Sequence, residues 1–103
     1  MAPGGMEMGF NRKAKGTRAE LRAIKQLEAA GFSCTRAAAS LGVWDVIAVG
    51  VLGVRLIQVK CNRPPGRAER ETMAAFQAPE NCTKELWVYH DGRPRDPVIT
   101  VIP

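Results

Sequence analysis

The stretch that decides the fold is DVIAVGVLGVRLIQVKC, residues 45–61. Two apolar runs, residues 45–49 and 54–61, flank residues 50–53, where two glycines mark a turn. The segment therefore predicts two consecutive strands. The second run is apolar on both sides of its polar residues, so we expect it to lie in the interior of a sheet.

Helices and further strands are predicted both before and after this pair of strands in the chain. Thr17 is the expected N-cap of the first helix and Gly31 its C-cap. The order of helix, strands, helix and strands indicates one α/β domain over residues 16–103, with a mixed central sheet flanked by helices. Residues 1–15 have no period and predict a flexible arm that ends basic. The helices are predicted at 16–30 and 67–77, and the further strands at 34–38, 85–90 and 98–102.

Positive charge is concentrated in the first two-thirds of the chain. The 103 residues carry a formal net charge of +5. Residues 11–70 hold twelve bases and four acids, a net charge of +8, whereas residues 71–103 hold three bases and five acids. A polyanion, usually nucleic acid, is therefore expected to meet residues 11–70.

Composition excludes several classes of protein. Hydrophobic residues make up 46% of the chain and charged residues 24%, which is ordinary for a globular domain and excludes a disordered or fibrous chain. No apolar run is long enough for a membrane helix, and the first residues do not resemble a secretory signal. Three cysteines without metal-ligand spacing favour a reducing cytosol.

Glu20 is an acid in an apolar stripe. On a helical projection it falls between Ile24 and Leu27, while Arg18 and Arg22 cluster on the opposite side. A carboxylate on a core-facing stripe is costly unless it is paired or binds a metal ion. The alternative is a Glu at the edge of the stripe that reaches solvent or pairs with a basic residue.

The two predicted strands also carry unexpected polar residues. Asp45 opens the first, although aspartate disfavours strands, and the alternative is a residue that caps the preceding turn. The period of two places Gln58 and Lys60 on one face of the second strand. A lysine in an interior strand needs an anionic partner. The alternative for Lys60 is an edge strand with its ammonium in solvent.

Together these residues suit phosphodiester hydrolysis. That reaction needs a divalent cation, ligands for it and a group that positions water. Mg²⁺ prefers oxygen ligands, and Asp45, Gln58 and Glu20 offer two carboxylates and an amide oxygen. Lys60 would orient the water or neutralise charge on the phosphate.

The ordered set of Lys15-Gly16, Glu20, Ser40-Leu41-Gly42, Asp45 and Gln58-Val59-Lys60 resembles the PD-(D/E)XK nuclease superfamily. Within it, the pattern is most similar to the archaeal and phage Holliday junction resolvases. The resemblance spans residues 15–61. It implies a restriction-endonuclease-like core, a homodimer, and cleavage of four-way DNA junctions with Mg²⁺ or Mn²⁺. It also implies the cytoplasm of a prokaryotic cell or of a phage-infected host.

The resemblance also implies a role for each matched position. Asp45 would be the central metal ligand, Glu20 the helix carboxylate at the metal or its water, and Lys60 the catalytic lysine. Ser40 is predicted to be catalytic, and both Ser40 and Arg36 match loop positions near the scissile phosphate. The predicted metal ligands are Glu20, Asp45, Gln58 and Val59. The predicted DNA-binding residues are Arg12, Lys13, Lys15, Arg18, Arg36, Arg63 and Arg67.

Gln58 departs from the pattern, because resolvases usually have Glu there. The amide removes one negative charge from the metal site and weakens cation binding. Two alternatives therefore stay open beside a junction resolvase. One is another nuclease of the superfamily, acting in phage replication or repair or as a nicking enzyme. The other is a DNA-binding module whose catalysis has weakened.

Overall fold

The computed structural model describes residues 7–38, 40–92 and 96–103, with side chains from residue 15 onward. In these ranges the chain forms two helices and one five-stranded sheet with strand order β1-β2-β3-β4-β5. All neighbouring strands are antiparallel except β3 and β4, which are parallel and are connected through α2. The elements are α1 (Glu7–Ala29), β1 (Ser33–Arg36), β2 (Val46–Val49), β3 (Val54–Cys61), α2 (Arg67–Ala75), β4 (Cys82–Tyr89) and β5 (Val98–Ile102).

The structure confirms the α/β class and the mixed sheet, and it places β3 between β2 and β4. The side chains of β3 alternate between the two faces of the sheet, and a different helix covers each face. Ile57 and Val59 pack with α1, whereas Leu56 packs with Met73 of α2. Both tryptophans of the chain belong to the core: Trp87 lies on the α1 side, and Trp44 lies on the α2 side.

The start of the first helix corrects the prediction. Helix α1 begins at Glu7 and runs through Gly16 and Thr17, so Thr17 is not an N-cap. Residues 7–15 of the predicted flexible arm are helical, and residues 1–6 lie outside the described residues. A single interior glycine costs a helix only about 1 kcal/mol, which this long helix can absorb. The other end agrees with the prediction. Gly31 has φ +99°, and the amide of Phe32 donates to the carbonyl of Leu27 at 3.0 Å, as in a Schellman cap.

The other boundaries differ by a few residues. Strand β1 is Ser33–Arg36, and Asp45 lies just before β2 rather than in it. Helix α2 ends at Ala75, because Phe76 turns to an extended conformation. Strand β4 begins at Cys82, three residues before its predicted start at residue 85, because Cys82 already pairs with Val54 in the parallel ladder.

A buried ion pair joins β3 and β4 at the end where both strands begin. The Glu85 side chain is 4% exposed, and its carboxylate accepts hydrogen bonds from Arg55 Nε at 2.8 Å and Nη2 at 2.7 Å. Thr83 Oγ1 and Trp87 Nε1 donate to the same carboxylate. Burial acts to raise the pKa of Glu85, but the donors outweigh it and hold the pKa below its ordinary value.

A buried lysine attaches helix α2 to the sheet. Lys84 Nζ donates to the main-chain carbonyls of Met73, Ala74 and Phe76 at 2.8–2.9 Å. These carbonyls lie at the end of α2, where helix carbonyls lack partners and attract a cation. The position of α2 over the sheet therefore depends on β4. No helix within the described ranges is long and apolar enough to cross a membrane.

Candidate active site

Strand β3 places Gln58 and Lys60, the amide and the lysine of the predicted site, on the face of the sheet that α2 covers. Gln58 is only 4% exposed and Lys60 is half-buried. Strand β2 pairs only with residues 54–57 of β3, so Lys60 has a strand neighbour on the β4 side alone. The alternative of an ammonium in solvent is nevertheless wrong, because Lys60 Nζ lies 3.1 Å from a carboxylate oxygen of Glu69. The lysine accordingly has an anionic partner, as an interior position requires.

Asp45 is held against β3 by main-chain bonds. Its amide donates to the carbonyl of Ile57 at 2.8 Å, and its carbonyl accepts from the amide of Ala37 at 2.8 Å. The carboxylate Oδ2 accepts from the amide of Val59 at 2.8 Å. The carboxylate thus lies beside the segment of β3 that carries Gln58 and Lys60.

The surroundings of Asp45 raise its pKa to about 6. Burial is the largest cause, because it disfavours the charged form. The hydrogen bond from Val59 acts in the opposite direction, the charge of Glu20 raises the pKa further, and Lys60 lowers it. Near neutral pH this carboxylate is ionised at a free-energy cost to the folded protein.

We expect Asp45→Asn to be more stable than the wild type at pH 7.5. A folded-state pKa of about 6, above the unfolded value of about 3.9, means that the favourable contribution of Asp45 is present below pH 4 and lost as pH rises through 6. After allowance for solvent screening, the gain is about 1–2 kcal/mol. Urea unfolding at pH 7.5 and pH 4 measures it, and the gain should shrink at pH 4. A variant less stable than wild type at pH 7.5 would contradict the argument.

Glu20 reaches the same region from α1. Its side chain is 19% exposed and accepts a hydrogen bond from Arg36 Nε at 2.9 Å. The alternative in which Glu20 pairs with a basic residue is therefore confirmed. The pairing does not remove Glu20 from the site, because its charge contributes to the raised pKa of Asp45.

Ser40 lies on the loop between β1 and Asp45. Its hydroxyl donates to the carbonyl of Ala37, the residue whose amide donates to Asp45. The residue is exposed, but its hydroxyl is engaged within its own loop. The catalytic role of Ser40 stays a prediction.

Glu69 is a residue of the site that the sequence did not indicate. It lies in the first turn of α2, and its Oε1 is 3.1 Å from Lys60 Nζ. Its Oε2 accepts from Gln58 Nε2 at 3.3 Å. Had the parallel pairing of β3 and β4 been predicted, the connecting helix would have been expected over β3. That topology was the signal that could have identified Glu69.

Basic side chains border the site. A cavity of about 560 Å³ beside the end of β3 is lined in part by Lys15, Lys60 and Arg63. Lys15 is half-exposed and forms an ion pair with Asp91. Three cations around one cavity suit the binding of phosphate groups.

The remaining predicted DNA-binding residues have different surroundings. Arg18 is exposed on α1, Arg36 pairs with Glu20, and Arg67 is exposed and pairs with Glu71 at 3.2 Å. Arg12 and Lys13 belong to α1, but their side chains lie outside the described part of the structure.

The acidic groups do not form a closed metal site as they stand. In the described part of the chain, no group of three or more His, Cys, Asp or Glu side chains is arranged to hold a metal ion. Glu20 is paired with Arg36, and Glu69 with Lys60. The buried Oε1 of Gln58, by contrast, has no hydrogen-bond partner.

Comparison with solved structures identifies the fold. The chain is similar to Hjc of Archaeoglobus fulgidus, a Holliday junction resolvase from an archaeal hyperthermophile, with a TM-score of 0.64. The match covers 86% of this chain and 72% of the other, at 22% sequence identity. The chain has the resolvase fold. The predicted resemblance is thereby confirmed for the resolvase fold, whereas no family model and no curated protein matches the sequence.

Proposed function

We propose that this chain is a Mg²⁺- or Mn²⁺-dependent, structure-specific DNA endonuclease, a Holliday junction resolvase that hydrolyses phosphodiesters at four-way junctions as a homodimer. One observation carries the proposal. In a resolvase fold, the Asp45 carboxylate is hydrogen-bonded to β3 at Val59, between Gln58 and Lys60. These are the carboxylate, amide and lysine that the sequence pattern selected for phosphodiester chemistry.

The residues fit a divalent cation that prefers oxygen ligands. Asp45 and Glu20 offer carboxylates, and Gln58 offers a buried amide oxygen that lacks a partner. Val59 can contribute only its main-chain carbonyl, because a valine side chain has no atom that binds a metal ion. A bound cation would polarise the phosphate and make its water a better nucleophile.

The protein's own groups have separate tasks in this proposal. Asp45 is oriented by the Val59 amide and holds its carboxylate next to β3. Lys60 stabilises negative charge that develops on the phosphate, or steers the attacking water. Lys15 and Arg63 line the cavity beside Lys60 and would hold neighbouring phosphates.

The exposed edge of the sheet supports the homodimer. Strand β5 pairs only with β4 among the described strands, and its Val98, Ile99 and Val101 are exposed. An apolar edge strand favours pairing with another chain. Met73 of α2 is buried in the core, so this apolar residue is not available for a contact between two chains.

A DNA-binding module with weakened catalysis is the second candidate. It is favoured by Gln58, which lacks the charge of a Glu, and by the pairing of Lys60 with Glu69 instead of a free ammonium. Such a protein would bind a junction through the basic residues and leave it intact.

The test of the proposed function is cleavage of a labelled four-way junction with Mg²⁺, Mn²⁺ or EDTA. We expect cuts in the four-way junction with either metal and none with EDTA. Duplex, flap and single-stranded DNA serve as controls, and preferential cutting of one of these would indicate another nuclease of the superfamily. Junction binding without cleavage in either metal would establish the second candidate and reject the first.

A further inference from the structure

The site has one carboxylate fewer on β3 than the resemblance leads one to expect. Position 58 is a glutamine, and its amide is 4% exposed. The Nε2 group of this amide faces Glu69 at 3.3 Å, while Oε1 is buried without a partner. A buried acceptor without a donor is unfavourable, and a cation would satisfy it.

Glu69 lies where the missing charge is needed. Its carboxylate contacts both of the polar side chains that β3 presents to α2, Gln58 at 3.3 Å and Lys60 at 3.1 Å. Its side chain is 41% exposed, so it is open to an ion from solvent. In this structure the Lys60 ammonium is the cation that neutralises it.

The helix that carries Glu69 is held at both ends. At its start, Arg70 Nε donates to the carbonyl of Pro65 at 3.3 Å. At its end, Lys84 binds three main-chain carbonyls. Glu69 is therefore presented to β3 from a positioned helix rather than from a free loop.

We infer that Glu69 supplies the second metal-binding carboxylate of the site, in place of the acid that position 58 lacks. This inference rests on the proposed function and adds a ligand to it. With a divalent cation bound, the Glu69 carboxylate would be a ligand of the ion instead of the partner of Lys60. The Lys60 ammonium would then be available to the phosphate of the substrate.

The test measures binding of Mn²⁺ alone to the full chain by electron paramagnetic resonance, alongside junction cleavage. Glu69→Gln keeps the size of the side chain and removes its charge, and we expect affinity for Mn²⁺ to fall roughly tenfold or more. The double variant Gln58→Glu, Glu69→Gln returns a carboxylate to β3 and should recover most of the lost affinity. The matched control is Glu80→Gln, an exposed acid before β4, which should bind Mn²⁺ as wild type does.

The outcomes separate this inference from the proposed function. Wild-type affinity for Mn²⁺ in Glu69→Gln would overturn the role of Glu69 while leaving the nuclease proposal intact. Weakened binding that the double variant does not recover would also overturn it, because Glu69 would then act by some route other than replacing the acid at position 58. A wild-type chain that neither binds Mn²⁺ nor cuts the junction would reject the proposed function itself, and the inference with it.

Discussion

Asp45→Ala should reduce junction cleavage by roughly a thousandfold, because a metal ligand contributes several kcal/mol of transition-state stabilisation. The Asp45 carboxylate accepts a hydrogen bond from the main-chain amide of Val59 in β3 at 2.8 Å. Alanine removes the ligand and leaves that amide without its acceptor. Single-turnover cleavage of a labelled four-way junction with Mg²⁺ measures the loss.

Junction binding should survive the same substitution. The variant removes a negative charge from a site that meets phosphates, so affinity for the uncut junction in EDTA should be equal to or higher than that of wild type. The control is Asp96→Ala, an exposed aspartate before β5 that should cut at the wild-type rate. If Asp45→Ala is folded and cuts as fast as wild type, Asp45 is not the metal ligand.

Glu85→Ala should lower the free energy of unfolding by about 3 kcal/mol, the low end of the cost of breaking a buried ion pair. The substitution leaves the Arg55 guanidinium between the rings of Phe32 and Trp87 without its counter-ion. The indole N–H of Trp87 also loses its acceptor. Urea unfolding near pH 7 measures the change.

The control for this variant is Glu71→Ala. Glu71 also pairs with an arginine, Arg67, but both side chains are exposed, and such a pair contributes about 0–1 kcal/mol. A loss for Glu85→Ala as small as that for Glu71→Ala would mean that the buried pair does not hold β3 to β4.

The parts of the fold that the sequence predicted are those with a strong local signal. Strands β3 and β5 have the predicted bounds, since apolar runs between turn residues identify strands directly. Gly31 ends α1 as expected, because a positive φ suits glycine. The predicted start of α1 was wrong, because the sequence has no strong local signal there. Residues 7–15 show no apolar period, and Gly16 resembles a boundary although the helix passes through it.

The candidate site also contains features that the sequence indicated and features that it did not. Glu20, Asp45 and Lys60 stood out because each is a charged residue in an apolar context, which a sequence displays without any structure. The ion pairs they form did not stand out. Arg36 was expected near the scissile phosphate rather than at Glu20, and Glu69 is an ordinary acid in a polar segment. Only tertiary folding brings Arg36 to Glu20 and Glu69 to Lys60. Contacts of this kind depend on topology rather than on spacing.

The parallel connection from β3 through α2 to β4 has a consequence for how this site varies among related chains. It places position 69 of the helix next to position 58 of the strand, with Glu69 Oε2 3.3 Å from Gln58 Nε2. If Glu69 supplies the negative charge that position 58 lacks, we expect a relative with an acid at position 58 to need none at position 69. The sequence signature of such a site would then be a pair of covarying positions on two elements, rather than a motif on one strand.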